Sequence, residues 1–176
     1  MKIGIILGST REGRVSEQVG AWVLEQANVY GTANYEIVDI KDYHLPFLGT
    51  SSEMDGIIKW NEKLRELDGF VFVTAEYNHS MPASLKNALD LAKEPWNNKA
   101  AGIISYGSAG GARAAEHLRG VLGELQVADI RTHILLSLFT DFENGSIFKP
   151  QALHKANLTV FFPQLESWAK ALKTLR

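Results

Sequence analysis

Three stretches of the chain are apolar with little interruption and no longer than a strand. They are KIGIILG (2–8), the opening of GFVFVTAEYN (69–78), and KAAGIISYG (99–107). A strand with one wet face alternates apolar and polar residues. These do not, so both faces must be covered, as in a parallel sheet with helices on either side. Two further strand-length runs join them: NYEIVDI (34–40), partly alternating, and RTHILLSLF (131–139).

Helical periods fill the intervals. Val15, Val19, Trp22 and Val23 share one face, and Ile57, Trp60, Leu64 and Leu67 stripe a helix over 55–67. Pro82 suits a first helical turn, Leu85, Ala88, Leu89 and Ala92 follow as its apolar face, and Pro95 stops it. Residues 111–126 read as a helix weakened by Gly120 and Gly123, and 150–175 as a closing helix, irregular near Pro163. The segment 41–55, marked by Pro46 and Gly49, reads as a loop.

Five strands alternating with helices predict a three-layer α/β/α fold, a doubly wound parallel sheet built by right-handed crossovers. With 176 residues, one domain spanning 1–176 is expected. Such sheets bind ligands beyond the C-terminal ends of their strands, at the switch in strand order. Two strand orders are common. In the order 2-1-3-4-5, the turns 8–16, 75–82 and 106–113 would surround one crevice. These are the three turns richest in glycine, serine and asparagine.

Charge and composition exclude several classes. A formal net charge of −2 and a pI near 6.2 leave no basic face for nucleic acid, and they argue against the strong field of a dedicated electron carrier. There is no cysteine, hence no disulfide, thiolate metal site or cysteine nucleophile; this fits a reducing, cytoplasmic setting. The amino-terminal apolar run turns charged at Arg11 and is too short to span a membrane. The five histidines, at 44, 79, 117, 133 and 154, show no paired ligand spacing, so no metal is expected.

The first turn, GSTREGRVS (8–16), resembles a phosphate loop. Gly8 and Gly13 have nucleotide P-loop spacing, but Arg14 and Val15 stand where lysine and a magnesium-holding hydroxyl belong. Triphosphate hydrolysis is therefore rejected. No GxGxxG follows the first strand either, although Asp39 ends the second, where dinucleotide folds keep a ribose-binding acid. Simple phosphate capture remains. Ser9, Thr10 and Ser16 offer hydroxyls, Arg11 and Arg14 offer charge, and the first amides of the next helix point to the same place.

The other two turns suit a flat ring. AEYNHSMPASLKNALD (75–90) brings Tyr77 and Asn78 to a strand end. SYGSAGGARAAEHLR (105–119) offers a backbone without bulk at Gly107, Gly110 and Gly111. A planar heteroaromatic ring bearing one phosphate points to FMN. These stretches, with DIKDYHLPFL (39–48), resemble the NADPH-dependent FMN reductase family, the flavodoxin-like proteins that include azoreductases, quinone reductases and chromate reductases.

The resemblance implies a flavodoxin-like sheet in the order 2-1-3-4-5, and hydride transfer from NADPH or NADH to flavin N5. A small acceptor would follow, such as a quinone, an azo compound or free flavin. No catalytic side chain is implied, since the flavin carries the chemistry. By position, Ser9, Arg11, Arg14 and Ser16 would hold the FMN phosphate. Glu76, Tyr77 and Asn78 would border the ring, largely through backbone, and Ser108, Gly110 and Gly111 would line its other edge. His79 lies beside the ring turn, and Arg113 matches a family position. Two departures stand out: Ala75 where the family often has proline, and Ala83 where it often has glycine. A homodimer or homotetramer is also implied, for which Leu118, Val121, Leu122 and Leu125 offer a stripe that an internal core would equally use. The alternative is a flavodoxin-type electron carrier without NAD(P)H turnover of its own.

Overall fold

The architecture is that of a computed structural model, which describes residues 1–50 and 54–176. Residues 51–53 of the expected 41–55 loop lie outside the described residues. The strands are β1 (Lys2–Leu7), β2 (Asn34–Asp39), β3 (Gly69–Ala75), β4 (Lys99–Gly107) and β5 (Val127–Ser137). They form one parallel sheet in the order β2-β1-β3-β4-β5. This is the flavodoxin-like order 2-1-3-4-5 that the resemblance implies and that brings the three glycine-rich turns together.

Alternate residues of each central strand feed opposite layers, and both sets are apolar. Ile3, Ile5 and Leu7 of β1 and Val71 and Val73 of β3 face α1 (Ser16–Tyr30) and α5 (Ala152–Leu172). Ile6, Phe70 and Phe72 face α2 (Asp55–Glu66), α3 (Ala83–Asp90) and α4 (Ala112–Glu124). This explains the missing alternation. In the second layer Trp60 and Trp96 are fully buried, and their indole N–H groups donate to Ala88 O (2.9 Å) and Leu89 O (3.2 Å). Each such ring contributes about 1.5–3 kcal/mol by leaving water. On the other face Gly102 leaves room for the Phe161 ring, since a Cβ there would stand 2.3 Å from Phe161 Cζ.

Three expectations change. β5 begins at Val127, four residues earlier than its apolar run, because its first half pairs with Lys99–Ala101 despite carrying Asp129 and Arg131. α5 runs unbroken through Pro163; burial of Leu158, Phe161, Phe162 and Leu165 offsets the hydrogen bond that proline removes. The stripe offered for oligomer contact is mostly internal. Leu118 and Leu122 are fully buried, and Val121 and Leu125 pack against the same core.

A small antiparallel hairpin, β6 (Phe142–Glu143) and β7 (Ile147–Phe148), follows β5. Its loop is the three residues 144–146, with Asn144 and Gly145 both at positive φ, a conformation that these two residue types tolerate. The buried Asp141 carboxylate anchors it by accepting from the amides of Ser137 and Gln151 and from His154 Nε2 at 2.8–2.9 Å.

Candidate functional site

Because β1, β3 and β4 are adjacent, their three C-terminal turns meet at one edge of the molecule. Two clefts open between them, sharing Arg11 and Tyr77. The smaller, about 160 Å3, runs from Gly13–Val15 past Ala75–Tyr77 to Tyr106–Gly107, with the hairpin tip Gly145–Ser146 as its rim. The larger, about 540 Å3, lies between Ser9–Arg11, the segment after β2, and the start of α3.

The first turn is built to leave donors free. Gly13, at φ 67°, reverses the chain so that α1 begins at Ser16. No side chain caps α1, and the amides of Ser16, Glu17 and Gln18 have no protein acceptor among the described residues. The Ser16 hydroxyl is fully buried and equally unpaired. A helix N-terminus with free amides is an anion site, and a buried hydroxyl without a partner is costly unless something supplies one. Ser9 Oγ accepts from the Arg11 amide (3.4 Å) and shares a hydrogen bond with Tyr77 OH (2.8 Å), joining the first turn to the one after β3. The Arg11 guanidinium lies 5.8 Å over the Tyr77 ring and is otherwise exposed.

Arg14 does different work from the phosphate contact expected of it. Its side chain is only 4% exposed. One terminal nitrogen donates to Asp39 Oδ1 (2.8 Å) and Ser9 O (2.5 Å), the other to Asp39 Oδ2 and to Glu17 Oε1 (2.6 Å), and Nε donates to Glu17 as well. All three guanidinium nitrogens are engaged, so Arg14 ties the turn to the end of β2. Asp39 is compensated by the same bond.

The turn after β3 is a tight reversal. Tyr77 and Ser80 exchange backbone hydrogen bonds (2.9 and 3.2 Å), with Asn78 and His79 at φ 47° and 72° between them. This leaves the Asn78 and His79 amides pointing outward with no protein acceptor among the described residues, and both side chains exposed. His79 sits beside His117, whose Nδ1 shares a hydrogen bond with Ser80 Oγ. Ala83, one of the two departures, is an exposed first residue of α3.

The Glu76 side chain, at the cleft's edge, is held by the start of α4. Its Oε2 accepts from the amides of Arg113 (3.0 Å) and Ala114 (3.3 Å), and Oε1 from the Arg113 guanidinium. It thus caps α4 and locks the turn after β3 to the turn after β4. Burial alone would raise this carboxyl, but the Arg113 charge and the two amides hold it below the ordinary carboxylate range.

In the turn after β4, Gly110 and Gly111 sit at φ 68° and 75°. A Cβ on Gly111 would stand 2.7 Å from both Ser105 Cβ and the Tyr106 amide. The buried Ser105 hydroxyl donates to Gly110 O (2.8 Å) and, its one proton so placed, accepts from His133 Nε2–H (3.0 Å). Burial pushes His133 down to about 4, with the nearby Arg119 charge adding to it. Ser108 is exposed, and the Ser108 and Ala109 amides have no protein acceptor among the described residues.

Four roles at this site are not reported by any motif: the buried hydroxyls of Ser105 and Tyr106, which lie inside the glycine-rich stretch, His133 as the partner of Ser105, and Asp39 as the partner of Arg14. Tyr106 OH is buried and unpaired, and burial pushes the phenol up. The hairpin rim was legible as Asn144–Gly145 between apolar residues but did not enter the reading above.

The model of the family described as NADPH-dependent FMN reductase matches residues 1–141. The chain belongs to the NADPH-dependent FMN reductase family. It is 38% identical to the NAD(P)H-dependent FMN reductase C4B3.06c of Schizosaccharomyces pombe, over 80% of this chain and 74% of that one. It is 33% identical to a 2-hydroxy-1,4-benzoquinone reductase of Burkholderia sp, over 72% and 73%. Among solved structures, FerB, a flavoenzyme NAD(P)H:(acceptor) oxidoreductase of Paracoccus denitrificans, superposes with a TM-score of 0.75, covering 98% of this chain and 97% of that one at 16% identity. That likeness is one of fold.

The residues present fit the flavin of an FMN reductase. The unpaired Ser16 hydroxyl and free α1 amides suit a phosphate. The open amides of Asn78, His79, Ser108 and Ala109 suit the polar edge of a ring, and glycines at 107, 110 and 111 let backbone approach it.

Proposed function

We propose that this chain is an FMN-dependent NAD(P)H oxidoreductase that reduces a small acceptor such as a quinone, an azo compound or free flavin. The observation that carries this reading is the meeting of three turns whose unpaired donors match a phosphate at one end and a flat polar ring at the other. FMN, when bound, supplies the two-electron chemistry between nicotinamide and acceptor.

The chain's own residues bind and orient. Ser9, Arg11, Ser16 and the α1 amides hold the phosphate, while Arg14 holds the turn that presents them. Asn78 and the amides at 78–79 border one edge of the ring; Ser108, Ala109 and the glycines at 110–111 border the other. Fixed amide dipoles near the ring stabilise negative charge without reorganising, which favours reduction. Glu76 and Ser105 keep both turns in place. A homodimer or homotetramer and a cytoplasmic setting belong to the same reading; the partner surface would lie outside the buried α4 stripe. Among the described residues no helix is long and apolar enough to cross a membrane.

The test is spectroscopic. Purified protein, or protein incubated with FMN, should be yellow, and its visible band should bleach with NADPH or NADH and recover with quinone. A band that bleaches only with dithionite would instead make the chain an electron carrier. Protein that refuses FMN would end the flavin reading. A panel of quinone, azo dye and free flavin then ranks acceptors.

A further inference from the structure

A third cleft, about 510 Å3, opens at the opposite end of the sheet from the flavin turns. β4 runs from Lys99 at this end to Gly107 at the other, roughly 25 Å at the rise of a strand. None of the residues lining this cleft belongs to the flavin cleft. Three cations line it, Arg65, Lys99 and Arg176, against one carboxylate, Glu94.

Lys99 is 3% exposed and forms no salt bridge among the described residues. Its ammonium donates to Leu64 O (2.6 Å), in the last turn of α2, and stands 5.5 Å from the centre of the Phe70 ring. The remaining N–H bonds have no acceptor among the described residues. The two carboxylates whose charge reaches it are committed elsewhere. Asp68 accepts from the Lys2 amide (3.0 Å) and Lys173 Nζ (2.9 Å) and pairs with Arg176 (3.4 Å). Glu94 accepts from Arg65 Nε (3.1 Å). Burial, joined by the charges of Arg176 and Arg65, pushes Lys99 down to about 8, against the pull of Asp68 and Glu94. An ammonium taken out of water without a counter-charge destabilises the fold, whereas an apolar chain of the same length would not.

The two guanidinium groups have donors to spare. Arg65 uses only Nε, and Arg176 uses one terminal nitrogen, at 3.4–3.5 Å from Asp68; their other nitrogens have no acceptor among the described residues. Two forked donors and an ammonium around one cleft match an oxyanion with several lone pairs to fill. Pro95 and Leu175 form an apolar wall beside them, and the volume leaves room for an organic body.

We propose that this cleft binds a phosphate-type oxyanion, free or carried by a small organic molecule, with Lys99, Arg65 and Arg176 as its partners. The site is separate from the flavin cleft and stands whether or not the chain uses flavin.

The test is a site-resolved titration. Inorganic phosphate is added to the labelled full chain at constant ionic strength, and the backbone amides are followed by heteronuclear NMR. Saturable shifts should appear at residues 94–99, distinct from any at 13–18, where the flavin phosphate is placed. Lys99→Met keeps an unbranched chain over Phe70 and removes the charge; it should abolish the first set and leave the second. Arg176→Gln and Arg65→Gln, at exposed positions, should each weaken the first set about three- to tenfold, and they decide the matter if the lysine variant fails to fold. Phenyl phosphate binding more tightly than inorganic phosphate would make the ligand an organic phosphate; equal affinities would make it the free ion. Shifts at 94–99 that chloride reproduces, that never saturate, or that the arginine variants leave unchanged would overturn the site, as would shifts confined to 13–18.

Discussion

Removing the Glu76 carboxylate should loosen the site from the inside, and the structure sets the size of the effect. The side chain is 4% exposed and satisfies two amides of α4 that have no other acceptor. Loss of such a cap costs about 1–2 kcal/mol. The ion pair with Arg113 adds less, because the Arg113 side chain is 41% exposed and solvent screens it; about 1 kcal/mol is an upper figure. Glu76→Ala should therefore cost about 2–3 kcal/mol, a sizeable part of the ~5–15 kcal/mol that holds a domain folded. Glu76→Gln keeps an acceptor for the amides and should cost about 1 kcal/mol, as should Arg113→Ala, which keeps the cap. Urea unfolding of the apoprotein at pH 7 measures all three, with an unchanged m-value as the check on the comparison. Flavin affinity, read by quenching of FMN fluorescence, should fall about tenfold in Glu76→Ala if half the loss reaches the bound ring. The folded carboxyl sits below its ordinary value, so its contribution is complete above the unfolded value and vanishes as pH falls through the depressed one. The Glu76→Ala deficit should accordingly shrink in acid. If Glu76→Ala proved no less stable than Arg113→Ala, the cap would carry nothing and the account of how the two turns are joined would be wrong.

Other positions separate scaffold from ligand contact. Gly111→Ala should lose about 2–3 kcal/mol and most flavin binding, since a positive φ costs about 1–2 kcal/mol and the new methyl meets backbone at 2.7 Å; circular dichroism melts and flavin titration read both. Ser16→Ala should leave apoprotein stability unchanged or slightly higher, because the hydroxyl has no partner to lose, yet weaken FMN or inorganic phosphate binding about five- to tenfold in titration calorimetry. His133 is held neutral, its value lowered from 6.5 to about 4, so the unfolded chain takes the proton first. Stability should be full above about pH 6.5 and drop by about 1–2 kcal/mol toward pH 4, a figure reduced for its partial solvent access, with His133→Gln flattening the urea-midpoint profile over that range.

The sheet was legible because its chemistry is local. A strand buried on both faces must be apolar at most positions, and β1, β3 and β4 are, apart from Lys2, Thr74, Lys99 and Ser105. β5 was misplaced at its start because it is the edge strand: its early residues need satisfy only one neighbour, so Asp129 and Arg131 are tolerated at partly wet positions and hide the run. Pro163 misled for the opposite reason, since its helix is stabilised by packing against β4 and β5 that no local propensity reports. Strand order could not be read at all from hydrophobicity. It came from asking which order would bring three polar, glycine-rich turns together.

The site residues divide by a rule that motif reading cannot apply. Arg14 and Arg11 look alike in the first turn, both basic and each two residues from a serine. What separates them is Asp39, twenty-five residues away and adjacent only because β2 pairs with β1. The guanidinium that finds a half-buried carboxylate becomes a strut, and the one that finds none stays free for a ligand. The same division sorts the other turns: Glu76 and Ser105 are satisfied within the protein, while Ser16 and the amides at 78–79 and 108–109 are not. A strut and a contact should then differ in how they fail. Loss of a strut lowers stability and flavin affinity together, because the turn it fixed no longer presents its donors. Loss of a contact lowers affinity alone, because nothing in the empty protein depended on it. A plot of unfolding free energy against flavin affinity across single substitutions should place Arg14, Glu76 and Ser105 on a slope and Ser16 and Ser108 on a vertical line. One mixed cloud would mean that the turns are not preorganised and that the flavin itself builds the site.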